Sequence, residues 1–195
     1  MKLKKLANSA INFGINRVIE VVGVSILITG VLLLISLVSF SPDDPNFIFS
    51  NNTEIKNILG FRGSFTADIF FQSFGVVSLL IPLSLIISGI NIVLYKEIFL
   101  IIESIFYTIL YSLFGSLFFS FFYPVAFKLY INGNGGFIGK YLETTFLASL
   151  INVNSQISYY LLILIILVLF LISIHFKISS FYKIIKKINF KLDTN

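Results

Sequence analysis

The 195-residue chain contains no cysteine and a single histidine, His175, and only 12% of its residues are charged. Without cysteine there is no disulfide framework, no thiolate metal site and no cysteine nucleophile. One histidine excludes multi-histidine metal sites. Soluble domains average about 25% charged and about 45–50% apolar residues; here 57% are apolar, and phenylalanine alone supplies 23 residues. That balance argues against disorder and against an ordinary water-soluble domain, and favours a membrane protein.

The few charges divide the chain. Glu20 and Asp43 bracket 22 uncharged residues (21–42), and Asp68 and Lys96 bracket 27 (69–95). Glu103 and Lys128 bracket 24 (104–127), and Glu143 and His175 bracket 31 (144–174). A span needs about 20 apolar residues. The last gap is broken by Asn152, Asn154, Ser155 and Gln156, which leaves 157–176 to span. The expected fold is an all-α membrane protein with four transmembrane helices near 20–40, 68–94, 100–123 and 157–176. Core helices of a soluble protein are shorter and amphipathic, whereas 31–35 and 161–170 are apolar on every face. The first span also differs from a secretory signal: it is too long, and Phe40-Ser41-Pro42-Asp43 follows it instead of a small-x-small cleavage site.

The cations set the expected topology. Lys2, Lys4, Lys5 and Arg17 precede the first span, and Lys177, Lys183, Lys186, Lys187 and Lys191 follow the last. Positive flanks stay cytoplasmic, so both termini face the cytoplasm, as an even number of spans requires. The turn 96–103 is then cytoplasmic, and the segments near 41–67 and 124–156 face outward. This divides the chain into a basic segment 1–19, a membrane domain 20–176 and a basic tail 177–195. In the tail, Ile178, Phe181, Ile185, Ile188 and Leu192 recur at helical spacing. Such a basic amphipathic helix beside a membrane lies on anionic lipid, with the five tail lysines as candidate lipid contacts. DNA binding by the tail is the competing reading, although positive-inside placement alone accounts for these lysines.

The outward segments are more informative than the spans. In Ser39-Phe40-Ser41-Pro42-Asp43-Asp44-Pro45, two prolines end the first helix and two aspartates suit a turn. Asn57-x-Leu59-Gly60-x-x-Gly63 follows, then Ala67-Asp68-x-x-Phe71-x-x-Phe74-Gly75. Gly60 and Gly63 allow positive φ or close approach, and Asp68 is expected to cap the second span. The second outward segment carries Gly135-Gly136-x-x-Gly139-Lys140. It is not a phosphate-binding loop: that pattern places glycine where Asn134 stands and Ser or Thr where Tyr141 stands. A short interfacial helix over 137–151 is the simpler reading.

In order and spacing these motifs resemble the four-span N-terminal membrane domain of the FtsK/SpoIIIE DNA translocases, over about 20–176. The resemblance implies a membrane anchor and assembly domain for a hexameric, ATP-driven DNA pump at the division septum, with other division-site membrane proteins as partners. Pro42, Asp43, Asp44, Pro45, Gly60, Gly63, Asp68, Gly75, Gly135, Gly136 and Gly139 are then the candidate assembly residues. No P-loop or Pro/Gln-rich linker stands before Asn195, so no motor residue carries over. DNA would be reached only through a motor absent from these residues, and the chain itself is expected to be non-enzymatic, without cofactor or metal.

The remaining features have plain readings. Pro82 kinks the second span, its freed carbonyl met by Ser78 or a neighbouring helix. Ser84, Ser88 and Gly89, like Ser112, Gly115 and Ser116, form small-residue patches for close helix packing. Glu97, Glu103 and Asn91 sit at a boundary, and His175 complements the last helix's dipole. Asn51-Asn52-Thr53 matches a glycosylation sequon that arises often by chance. A small multi-pass transporter or channel subunit is the alternative function. It calls for ionisable residues at mid-membrane, and the charge-free gaps hold none.

Overall fold

A computed structural model describes residues 2–45, 54–124 and 132–176, and over 2–10 it describes the helix backbone alone. Among these residues all regular structure is helical. In chain order the elements are α1 (Lys2–Val38), α2 (Gly60–Phe74), a 3-10 segment (Gly75–Leu79), α3 (Leu80–Tyr95), α4 (Phe99–Phe122), α5 (Gly136–Glu143), α6 (Phe146–Val153) and α7 (Ser155–Ser173). Four stretches are long and apolar enough to cross a membrane: Ile11–Val38, Gly60–Tyr95, Phe99–Phe122 and Ser155–Ser173.

The helix bounds depart from the sequence expectation in four places. Helix α1 already runs from Lys2, because 2–19 contains no proline and its lysines are good helix formers. The second span starts at Gly60 rather than near 68. Asp68 therefore lies inside α2 and does not cap it; its buried carboxylate accepts a hydrogen bond from Gln72 Nε2, one turn on, at 3.4 Å. The same span is broken midway by the 3-10 segment. Pro82 has no N–H for the Ser78 carbonyl, and the Ser78 hydroxyl donates to Gly75 O at 2.6 Å in the loosened turn. Finally, the short helix expected over 137–151 is two helices. The break falls at Thr144-Thr145, where Thr145 Oγ1 caps α6 by accepting from Leu147 N.

Helix α1 packs along α3, α4 along α7, and α3 bridges the two pairs. The α1–α3 crossing is close because glycines stand on both sides. A Cβ on Gly89 would come within 2.7 Å of Leu27 N and 2.8 Å of Gly23 O, and one on Gly23 within 2.8 Å of Val93 Cγ2. Small residues at such a contact bring backbones together where no hydrophobic driving force separates protein from lipid. Near the same end of α1 as Ser36, a buried apolar cluster of Leu33, Leu37, Ala67, Phe71 and Ile81 joins α1, α2 and α3. A second, built on Leu117, Phe118, Ile151 and Leu162, joins α4, α6 and α7. Helix α7 is the peripheral span: only Leu162 and Ser173 are buried along it, whereas buried residues recur throughout Gly60–Tyr95.

The glycine crossing makes a direct prediction. Gly89→Leu is expected to cost about 1–3 kcal/mol by overpacking. Gly14→Leu, with nothing within 4 Å of the added Cβ, is expected to stay within about 0.5 kcal/mol. Thermal unfolding of the two variants in detergent separates them.

Candidate functional site at the loop end of the bundle

The outward-motif residues collect at one end of the bundle, where α1 and α4 end and α2 and α7 begin. They form two junctions.

The first junction ties the turn after α1 to the start of α2. Asp44 is 2% exposed, and its carboxylate accepts two backbone amides: Lys56 N at 2.8 Å on Oδ1 and Asn57 N at 2.9 Å on Oδ2. Asn57, also buried, donates from Nδ2 to Ser36 O at 2.9 Å and accepts Leu59 N on Oδ1. The Ser36 hydroxyl donates to Gly63 O at 2.5 Å, and the Ser64 hydroxyl donates to Pro45 O at 3.1 Å. A side chain at Gly63 would overlap Asn57 Oδ1 and Leu59 Cβ. Gly60 needs its glycine for another reason, a φ of +63° with open space around it. Asp43 differs from its neighbour: it is exposed, sits 2.9 Å from Lys56 Nζ, and holds that ammonium above its ordinary pKa. Pro42 is exposed and Pro45 half-buried.

The second junction is built on glycine. Gly75 (φ +68°) and Gly136 (φ +64°) both take conformations that disfavour side chains, and they face each other. The Val76 amide donates to Asn134 O at 2.9 Å, an approach that a Cβ on Gly75 would block by overlapping that same carbonyl. A Cβ on Gly136 would come within 2.5 Å of Ser73 O. Gly135 and Gly139 lie on α4 so closely that a Cβ on either would overlap Ser116 O. The Ser116 hydroxyl donates to Phe74 O at 3.0 Å, and Gly115 admits Val77. Ser116 stands six residues before the end of α4, about 9 Å along its axis. Helix α5 therefore packs beside the last turns of α4.

Asp68 and Gln72 lie on α2 between the junctions and tie it to the segment before α5. Gln72 donates to Asp68, accepts Asn132 N on Oε1 at 3.3 Å, and its own carbonyl accepts Asn132 Nδ2 at 3.4 Å. All eleven outward candidates are described, and most are buried or half-buried; they join chain segments. Lys177, Lys183, Lys186, Lys187 and Lys191 lie outside the described residues, as does the sequon 51–53.

Sequence reasoning passed over the polar knot at the opposite end. Ser173 O, at the C-terminus of α7, accepts from the Ser104 hydroxyl at 2.7 Å and the Ser88 hydroxyl at 3.3 Å. Ser84 Oγ lies 2.9 Å from Tyr111 Oη and 3.0 Å from Ser173 Oγ, and Asn91 Nδ2 donates to Ile174 O at 2.9 Å. Side chains of α3 and α4 thus satisfy the carbonyls that α7 leaves unpaired as it ends. The available signal was the spacing of Ser84 and Ser88, one turn apart on one helix face. Nearby, Lys96 Nζ sits 2.7 Å from Glu20 Oε1, and His175 Nε2 sits 3.2 Å from Glu103 Oε2. Among the described residues no three His, Asp or Glu side chains converge as metal ligands.

With four spans in place and the glycine motifs meeting at one end, comparison with known proteins is decisive. The model of the 4TM region of DNA translocase FtsK/SpoIIIE matches residues 16–188. The chain belongs to this family. It is 41% identical over 64 residues to a DNA translocase FtsK of Rickettsia bellii (strain RML369-C), covering 33% of this chain and 8% of that protein. It is 34% identical over 82 residues to a DNA translocase FtsK of Rickettsia prowazekii (strain Madrid E), covering 40% of this chain and 11% of that one. A third, from Rickettsia typhi (strain ATCC VR-144 / Wilmington), is 33% identical over 64 residues, covering 33% and 9%. The chain thus spans about a tenth of the length of these FtsK relatives. No solved structure matches it. Family and apolar helices together make it a multi-pass protein of the bacterial inner membrane.

The first junction predicts a contrast between adjacent aspartates. Asp44→Ala strands two backbone amides and is expected to cost about 2–3 kcal/mol. Asp43→Ala removes only an exposed, solvent-screened ion pair and is expected to leave the thermal midpoint nearly unchanged. Protease susceptibility of the 41–60 turn, together with the thermal midpoint, reads the difference.

Proposed function

We propose that this chain is the membrane anchor and septal assembly domain of a bacterial DNA translocase. In this reading both termini lie in the cytoplasm and the loop end faces outward. The reading rests above all on the family match over 16–188. The positive flanks support the orientation. The two junctions support an assembly role, because they tie the described turns at that end to the helices. ATP hydrolysis and DNA contact belong to a motor outside these residues, and the chain itself performs no chemistry. Copies assemble around the motor, six by family resemblance, and division-site membrane proteins are the partners. The sparse burial of α7 leaves an apolar face for lipid or for a neighbouring copy.

A fluorescently tagged chain is expected to concentrate at the septum of dividing cells. Uniform membrane fluorescence at normal expression contradicts the reading. A double variant with leucine at Gly60 and Gly63 is expected to insert normally and to lose septal enrichment; full complementation by it would reduce the first junction to a mere connection.

A further inference from the structure

A cleft of about 470 Å³ opens between α1 and α2, walled by the apolar side chains of Leu32, Leu33, Phe70 and Leu85. A second cleft of about 250 Å³, along Val21, Ser25 and Ile26, shares Thr29 and Leu85 with it. The two make one track along α1 from Ser36 to Val21. Fifteen residues of helix rise about 22 Å, past the midplane of a hydrocarbon core about 30 Å thick.

The polar groups of this track are already used, with one exception. The hydroxyls of Ser25, Thr29, Ser36 and Thr66 donate to Val21 O, Ser25 O, Gly63 O and Arg62 O at 2.9, 2.9, 2.5 and 2.7 Å. The walls therefore present carbon. At the loop-end mouth stands Arg62, exposed, its guanidinium without a hydrogen-bond or ion-pair partner among the described residues. The site wants a long apolar body with one anionic group at its end. The cation at the mouth argues against a purely apolar helix, which would leave Arg62 without a counter-charge.

We propose that this groove holds one phospholipid, with an acyl chain along α1 and its phosphate on Arg62. The proposal goes beyond the anchor reading and holds for either orientation of the bundle.

The test uses the full chain in detergent, titrated with phosphatidylglycerol and, separately, with uncharged diacylglycerol, with bound lipid counted by native mass spectrometry. One phosphatidylglycerol per chain is expected, held about tenfold more tightly than diacylglycerol, the ratio of one charge-assisted contact. Arg62→Gln is expected to lose that ratio. Leu32→Trp, a half-exposed wall residue that fills the track, is expected to displace both lipids. Equal retention of phosphatidylglycerol by the wild type and both variants overturns the proposal. Since the chain has no cysteine, Thr66→Cys offers an independent check. It is expected to stay uncrosslinked in membranes under oxidation, whereas a disulfide between copies would put a second chain in the groove and overturn the proposal too.

Discussion

The hydrogen bond from the Val76 amide to the Asn134 carbonyl forms only because Gly75 stands where the two segments meet. In lipid, a backbone group that leaves the helical ladder must find another partner, since water is not there to replace it. The 3-10 segment ahead of Pro82 and the turn ahead of α5 are two places where this chain leaves the ladder. They are placed against each other, so that each supplies what the other lacks. The glycines bring the backbones near enough to do so, and Ser116 completes the join by donating to Phe74 O.

The same rule is met with side chains elsewhere. At the first junction Asp44 accepts two amides of an irregular turn, and Asn57 takes up Ser36 O. At the far end Ser88, Ser104 and Asn91 take up the last carbonyls of α7. Small polar residues and glycines thus meet the backbone groups freed where helices stop, as others bring α1 and α3 together at mid-helix. The same tightness explains why most of the motif residues at the loop end are buried.

Much of the fold was legible in the sequence. Charge-free runs located the four spans, since a bilayer tolerates few charges in any span. That same rule misplaced the start of the second span: Asp68 is an acidic residue, yet it is turned inward onto Gln72 within α2, and a one-dimensional reading treats any acidic residue as a boundary. The break ahead of Pro82 was visible, and the partner that meets its freed Val76 amide, Asn134 O, was not, because it comes from a distant segment. The pairing of Gly75 with Gly136 joins residues 61 positions apart; nothing local announces it, and only their order in a family-like pattern pointed to them. The serine knot stayed hidden because serine in a membrane helix serves packing and hydrogen bonding equally well, and the partner decides which.

The central claim is that the described turns at the two junctions are hydrogen-bonded into the bundle as firmly as its helices. Hydrogen exchange of the chain in lipid nanodiscs, read by mass spectrometry at single-amide level, tests it most directly. The account predicts that the amides of Lys56, Asn57 and Val76 exchange as slowly as mid-helix amides of α3. Exchange at those three amides at the rate of an unstructured peptide would contradict it.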